Sequence, residues 1–188
     1  MFLAALENGL KCLVKLVYGR YGSEVHHLLA GHGLAPTLFG IQTMDGAPSA
    51  IAMEFLKLHS PGSEGWATLY SLAGKLGAPD VQKSLAIAVH EIVTKLEQAN
   101  LVHGDLRANN LMVHVNANGS VLDGERVRVK AVDFDWSGRS GETTYPMWRN
   151  TDIWWPAGTA AEIVVGHDQA LVKHWWRTMF PDQVYPVG

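Results

Sequence analysis

Cysteine is almost absent from this chain. Cys12 is the single one in 188 residues. An internal disulfide is therefore excluded, and the composition fits a reducing compartment. Cys12 lies in a strand-like run, so it reads as a small buried hydrophobe rather than a reactive thiol. Long apolar runs are missing as well. None approaches the ~20 residues that a membrane helix needs. The start, M-F-L-A-A-L-E-N-G, lacks a basic leader and meets Glu7 too soon for a signal peptide. The expected setting is intracellular and cytoplasmic, with no membrane partner. Basic excess is missing too: 15 Lys and Arg against 18 Asp and Glu leave a net charge of −3. With no basic stripe, nucleic acid is not expected as the main partner. Nine histidines are present, but they show no tight metal-ligand spacing. There are no repeats and no low-complexity tract.

What is present is an ordinary globular composition, 47% apolar and 18% charged. The length suffices for one good core or two small lobes. The most informative stretch is Leu101–Leu111, L-V-H-G-D-L-R-A-N-N-L. It sets His103, Asp105, Arg107 and Asn110 in the pattern H-x-D-x-[KR]-x-x-N. Such offsets also arise by chance in polar turns, so the flanks decide. Upstream, Val81, Leu85, Ala88, Val89, Ile92, Leu96 and Ala99 make an apolar stripe of helical period. Pro79 and Asp80 open that helix, and Asn100 sits where it ends. Downstream, Leu111–Val115 is a short apolar run before the turn signal Asn116-Ala117-Asn118-Gly119. Asn116–Arg126 reads as a long hairpin tip. Val127–Asp133 then alternates like a strand and runs into Asp133-Phe134-Asp135.

Helix, polar loop, hairpin and D-F-x in this order resemble the heart of a protein-kinase C-lobe. The compact H-G-D loop and the D-F-D-W-S-G run resemble kinase-like domains abundant in fungal genomes, between classical protein kinases and choline or aminoglycoside phosphotransferases. The resemblance covers about Lys11 to Pro156. It implies an α+β, two-lobed fold, with a small antiparallel sheet plus one helix (residues 1–56) and a mainly helical lobe (residues 57–188). ATP would lie in the cleft between them, with Mg2+. By the same resemblance, Asp105 would accept or orient the proton of a substrate hydroxyl, and Arg107 would offer charge to the phosphoryl group in flight. Asn110 and Asp133 would be metal ligands. His103 would pack beneath the loop and bond backbone near D-F-D.

The N-terminal third continues the pattern. Lys11–Tyr18 is β-rich, and Lys15 resembles the strand lysine that contacts the α- and β-phosphates. Tyr21–His32 reads as a helix ending at Gly33. Its one acidic residue, Glu24, is the expected partner of Lys15, at a gap shorter than in the family. Ser49–Leu56 resembles the fifth strand and hinge. Met53 would back the adenine pocket, and Glu54 and Leu56 would present backbone to the adenine edge. The chain departs from the family pattern at Asp135, where glycine is usual, which makes an inward–outward flip of the motif less expected. Nothing like G-x-G-x-x-G precedes Lys15, and no A-P-E follows Tyr145-Pro146. An incomplete N-lobe and a shortened C-lobe are expected. Ala160–Phe180 looks helical, and the five tryptophans of the end segment suggest core packing.

These readings imply an ATP- and Mg2+-dependent phosphotransferase acting on a hydroxyl. Arg107 tilts the acceptor towards protein. A pseudokinase or fragment that only binds partners is the first alternative. A small-molecule kinase of the choline or aminoglycoside type is the second.

Overall fold

The computed structural model describes residues 1–43, 45–123, 126–181 and 185. Strands β1 (Phe2–Ala5) and β2 (Lys11–Val17), helix α1 (Ser23–Gly31) and strands β3 (Leu38–Gln42) and β4 (Ser49–Glu54) come first. The strands form one antiparallel sheet in the order β1-β2-β4-β3. Strand β1, which the short F-L-A-A run did not announce, returns on β2 with Leu3 opposite Leu13. Lys15 stands mid-strand in β2, opposite Ile51 of β4. The expected helix over 21–32 begins two residues late. Gly22 instead donates its amide to the Phe134 carbonyl at 2.9 Å. A Cβ at Gly22 would lie 2.4 Å from the Ser137 Cβ. Only glycine lets the chain approach this closely, so the start of α1 is pinned against the D-F-D-W-S run.

The second lobe opens with β5 (Gly65–Thr68) and the short helix α2 (Leu69–Leu72), which Thr68 caps by accepting the Ser71 amide. Helix α3 (Pro79–Gln98) falls within a residue of its expected bounds, with Pro79 in its first turn. Leu85, Val89, Ile92 and Leu96 are buried along its expected face. Asn100 ends it in the left-handed region at φ +55. Then come β6 (Leu101–Val102), β7 (Leu111–Val115), β8 (Leu122–Asp123), β9 (Arg126–Val127), β10 (Val129–Ala131), β11 (Gly138–Arg139) and helix α4 (His167–Met179). Strand β7 lies between β10 and β5. Gly124 and Glu125 of the expected hairpin tip lie outside the described residues. The helix expected over 160–180 is shorter: α4 begins at His167, after Gly166 at φ +95. Asp168 is therefore in its first turn rather than in mid-run.

The main core joins α1, α3 and α4 to the β7 sheet, from Val25 and Leu29 through Ile92 and Leu111 to Trp176. A much smaller cluster, Val17, Ile51 and Met53, lies under the first sheet. Cys12 is buried, as its strand position implied. The tryptophans divide: Trp176 is fully buried, whereas Trp148 is 92% exposed. Among the described residues no helix is long and apolar enough to cross a membrane.

Candidate active site

The polar loop after α3 is held from three sides. Asp168 of α4 accepts the backbone N–H of His103 at 2.6 Å and of Gly104 at 2.9 Å. Complete burial pushes the Asp168 carboxyl up, opposed by His103 and by these two N–H groups. Trp175 of α4 donates its indole N–H to the Leu106 carbonyl at 3.0 Å, and the Ser137 hydroxyl donates to the His103 carbonyl at 2.9 Å. Gly104 sits at φ +80, where a Cβ would be 2.8 Å from Ile163 Cδ1 and 2.9 Å from the Trp136 carbonyl. Glycine is thus required between His103 and Asp105. His103 packs 5.2 Å from the Phe134 ring, and its Nε2 lies 3.2 Å from the Val132 carbonyl, the structural part expected of it.

Within that frame Asp105, Arg107 and Asn110 meet. Arg107 donates from Nε to Asp105 Oδ1 and from Nη2 to Oδ2, the latter at 2.8 Å. The Asp105 hydrogen bonds hold the Arg107 pKa up despite burial. Asn110 donates from Nδ2 to the Asp105 backbone and side-chain oxygens, both at 2.9 Å. Its amide oxygen is therefore on the branch turned away from Asp105. The Arg107 guanidinium also lies over the Trp155 ring, 5.1 Å from its centre. Sequence reasoning did not single out Trp155 or Asp168, because the fold alone brings both to the loop.

Opposite stands Lys15. Its Nζ donates to Asp133 Oδ1 at 2.5 Å and to Asp135 Oδ1 at 2.7 Å. Burial by itself lowers the Lys15 pKa, but the bonds to Asp133 and then Asp135 outweigh it, and the net shift is upward. The expected Lys15–Glu24 pair is not formed. Glu24 is half-exposed in the first turn of α1 and bonds Arg139 of β11 at 2.5 Å. The reason is the pinned start of α1, which sets Glu24 beside β11. Asp133 has φ +71, a left-handed conformation that aspartate tolerates better than most residues. Asp135 has no such φ, so glycine is not needed there.

Lys15, Asn110, Asp133 and Asp135 line one cleft of about 630 Å³, together with Leu13, Met53, Glu54, Phe55 and Leu56. Leu13, Met53, Phe55 and Leu56 make part of that lining apolar. The Glu54 side chain is turned to other work: it accepts from Lys130 of β10 at 2.6 Å and from the Thr37 amide at 3.0 Å. Burial raises the Glu54 pKa, but the Lys130 bond and the Thr37 amide outweigh it, leaving it below the usual carboxylate value. Tyr21 also lines the cleft, and burial, then Asp135 and Asp133, push its phenol up. Among the described residues no group of three or more His, Cys, Asp or Glu is poised to hold a metal. A magnesium ion does not need one, since it keeps several waters and takes one or two carboxylates plus phosphate oxygens. The Asp133 carboxylate and the Asn110 amide oxygen suit that requirement.

No protein-family model matches the chain, and no curated protein matches its sequence. Solved structures do match its fold, which is that of the protein kinases. The Cydia pomonella granulovirus kinase PK-1 superposes with a TM-score of 0.64 at 16% identity, over 93% of this chain and 61% of that one. The Rad53 kinase domain with SCD2 superposes with a TM-score of 0.50 at 18% identity, over 73% of this chain and 46% of that one. The chain therefore spans less than two thirds of the length of either.

Proposed function

We propose that this chain binds ATP with Mg2+ and transfers a phosphoryl group to a hydroxyl acceptor, with residues 1–56 and 57–188 as the two lobes around the nucleotide. One observation carries the reading. Lys15, Asn110 and Asp133, from distant parts of the sequence, line a single cleft with an apolar wall, and the Asp105–Arg107 pair is bonded to Asn110 of that lining. In the proposed reaction Asp105 takes the acceptor proton, and Arg107 faces the phosphoryl group. Lys15 contacts the phosphates, while the Glu54 and Leu56 backbone meets the adenine edge. Asn110 and Asp133 hold the metal, which when bound neutralises phosphate charge. Arg107 favours a protein acceptor over a small molecule.

Asp105→Asn is expected to lower phosphoryl transfer about a hundred- to ten-thousandfold while Mg-ATP still raises the melting temperature. Full activity in that variant would remove Asp105 from the reaction. A panel of protein, amino-alcohol and aminoglycoside acceptors separates the substrate classes. One observation favours a second reading, a binding module without chemistry: Arg107 and Asn110 together occupy both Asp105 carboxylate oxygens. Phosphate transfer above a metal-free control excludes it.

A further inference from the structure

Lys15 needs a partner that stays with it when nucleotide and metal arrive. An ammonium on a flexible stem must be aimed, and a fixed carboxylate aims it. Asp133 is one of its two partners here, but the proposed reaction commits Asp133 to the metal. Glu24, the expected alternative, is held by Arg139 at 2.5 Å with both side chains 51% exposed. The docking of Gly22 on Phe134 and Ser137 fixes that separation. What remains is Asp135. Its Oδ1 lies 2.7 Å from Lys15 Nζ, in a pair whose lysine is 16% exposed and whose aspartate is 35% exposed.

We propose that Asp135 is the positioning residue for Lys15, holding the ammonium on the phosphate side of the cleft once Asp133 turns to metal. The inference rests on the reading of Lys15 as the phosphate contact. It also accounts for an acidic residue at the third position of D-F-D. That position has no left-handed φ, so glycine confers no backbone benefit there. A carboxylate two residues after Asp133 reaches the same ammonium.

The test has two arms. In the nucleotide-free chain, acylation of Lys15 by an N-hydroxysuccinimide ester is followed by peptide mass spectrometry from pH 7 to 10. Asp135→Asn should shift this pH profile downward and raise the rate at pH 8 about threefold, by removing one charged partner. Asp135→Glu should stay within twofold of wild type. In the second arm, Asp135→Asn should weaken Mg-ATP binding about tenfold, by loss of one charge-assisted bond, with a smaller change in kcat than in KM for ATP. Unchanged labelling and unchanged binding in Asp135→Asn overturn the proposal. So does a result in which Glu24→Gln moves both readouts and Asp135→Asn neither. If wild type binds no Mg-ATP, the proposed function fails and this role with it. That failure is recognisable because Lys15 labelling would still respond to Asp135.

Discussion

Phe134 lies between two histidine rings. His26 of α1 stacks on it at 4.4 Å and 16°, and His103, just after β6, packs on it at 5.2 Å. His26 is fully buried, with Nδ1 2.6 Å from the Tyr21 hydroxyl and Nε2 2.7 Å from the Pro36 carbonyl. Burial drives its pKa from 6.5 to about 4, against the opposing pull of the Pro36 carbonyl. The folded chain thus keeps the ring neutral where the unfolded chain takes up a proton. Stability from neutral His26 is whole above pH 6.5 and is lost as pH falls from 6.5 towards 4. The slope in that window is at most about 1.4 kcal/mol per pH unit. Urea unfolding between pH 7.5 and 4.5 should show this loss, and His26→Gln should flatten it. Parallel curves for the two proteins would place the titration on another group.

At the scale of elements, α4 acts as the support of the loop from His103 to Asn110, and one residue at its start carries most of that role. Asp168→Ala leaves the buried amides of His103 and Gly104 without an acceptor, at a cost of about 1–3 kcal/mol each. The variant should melt lower and lose the proposed phosphoryl transfer while still binding Mg-ATP, because the proposed nucleotide wall around Met53 and Leu56 is untouched. Calorimetry beside single-turnover assays checks this, and full transfer in Asp168→Ala would free the loop from α4. The same helix shows what a sequence discloses. Helix α3 was legible because its apolar stripe, its Pro79 start and its Asn100 stop are local signals. Asp105, Arg107 and Asn110 were legible as a group because one short loop carries them. Asp168 was not, since the long reading over 160–180 placed it in mid-run, and its partners lie 65 residues and 64 residues away. Glu24 misled for a related reason: its partner depends on where α1 docks, and Gly22 decides that through tertiary contacts with Phe134 and Ser137.

For the whole molecule, the core under the first sheet is far smaller than the main one. The first sheet rests on Val17, Ile51 and Met53, with Leu13, Tyr21 and Leu38 packed against them. The larger cluster takes the buried face of α1 for the second lobe, through Val25 and Leu29. Among the described residues, strands β1 to β4 are tied to the rest by Tyr21, which touches both clusters, and by three ion pairs. Lys15 reaches Asp133 and Asp135, and Lys130 reaches Glu54 at 2.6 Å. Burial energy scales with apolar area removed from water, so a core of this size gives the sheet a lower opening free energy than α3. Amides of β2 and β4 should therefore exchange with deuterium at least about tenfold faster than those of buried α3 positions such as Val89 and Ile92, a gap of about 1.4 kcal/mol in opening energy. Mg-ATP, bound as proposed, should slow β2 and β4 selectively, because it adds contacts that only the closed sheet can make. Lys130→Met should speed them, since it removes the tie between β10 and the end of β4 and leaves Glu54 without its ammonium. If β2, β4 and α3 instead exchange at one common rate in the nucleotide-free chain, the sheet opens only by global unfolding. The three ion pairs would then be incidental to holding the lobes together.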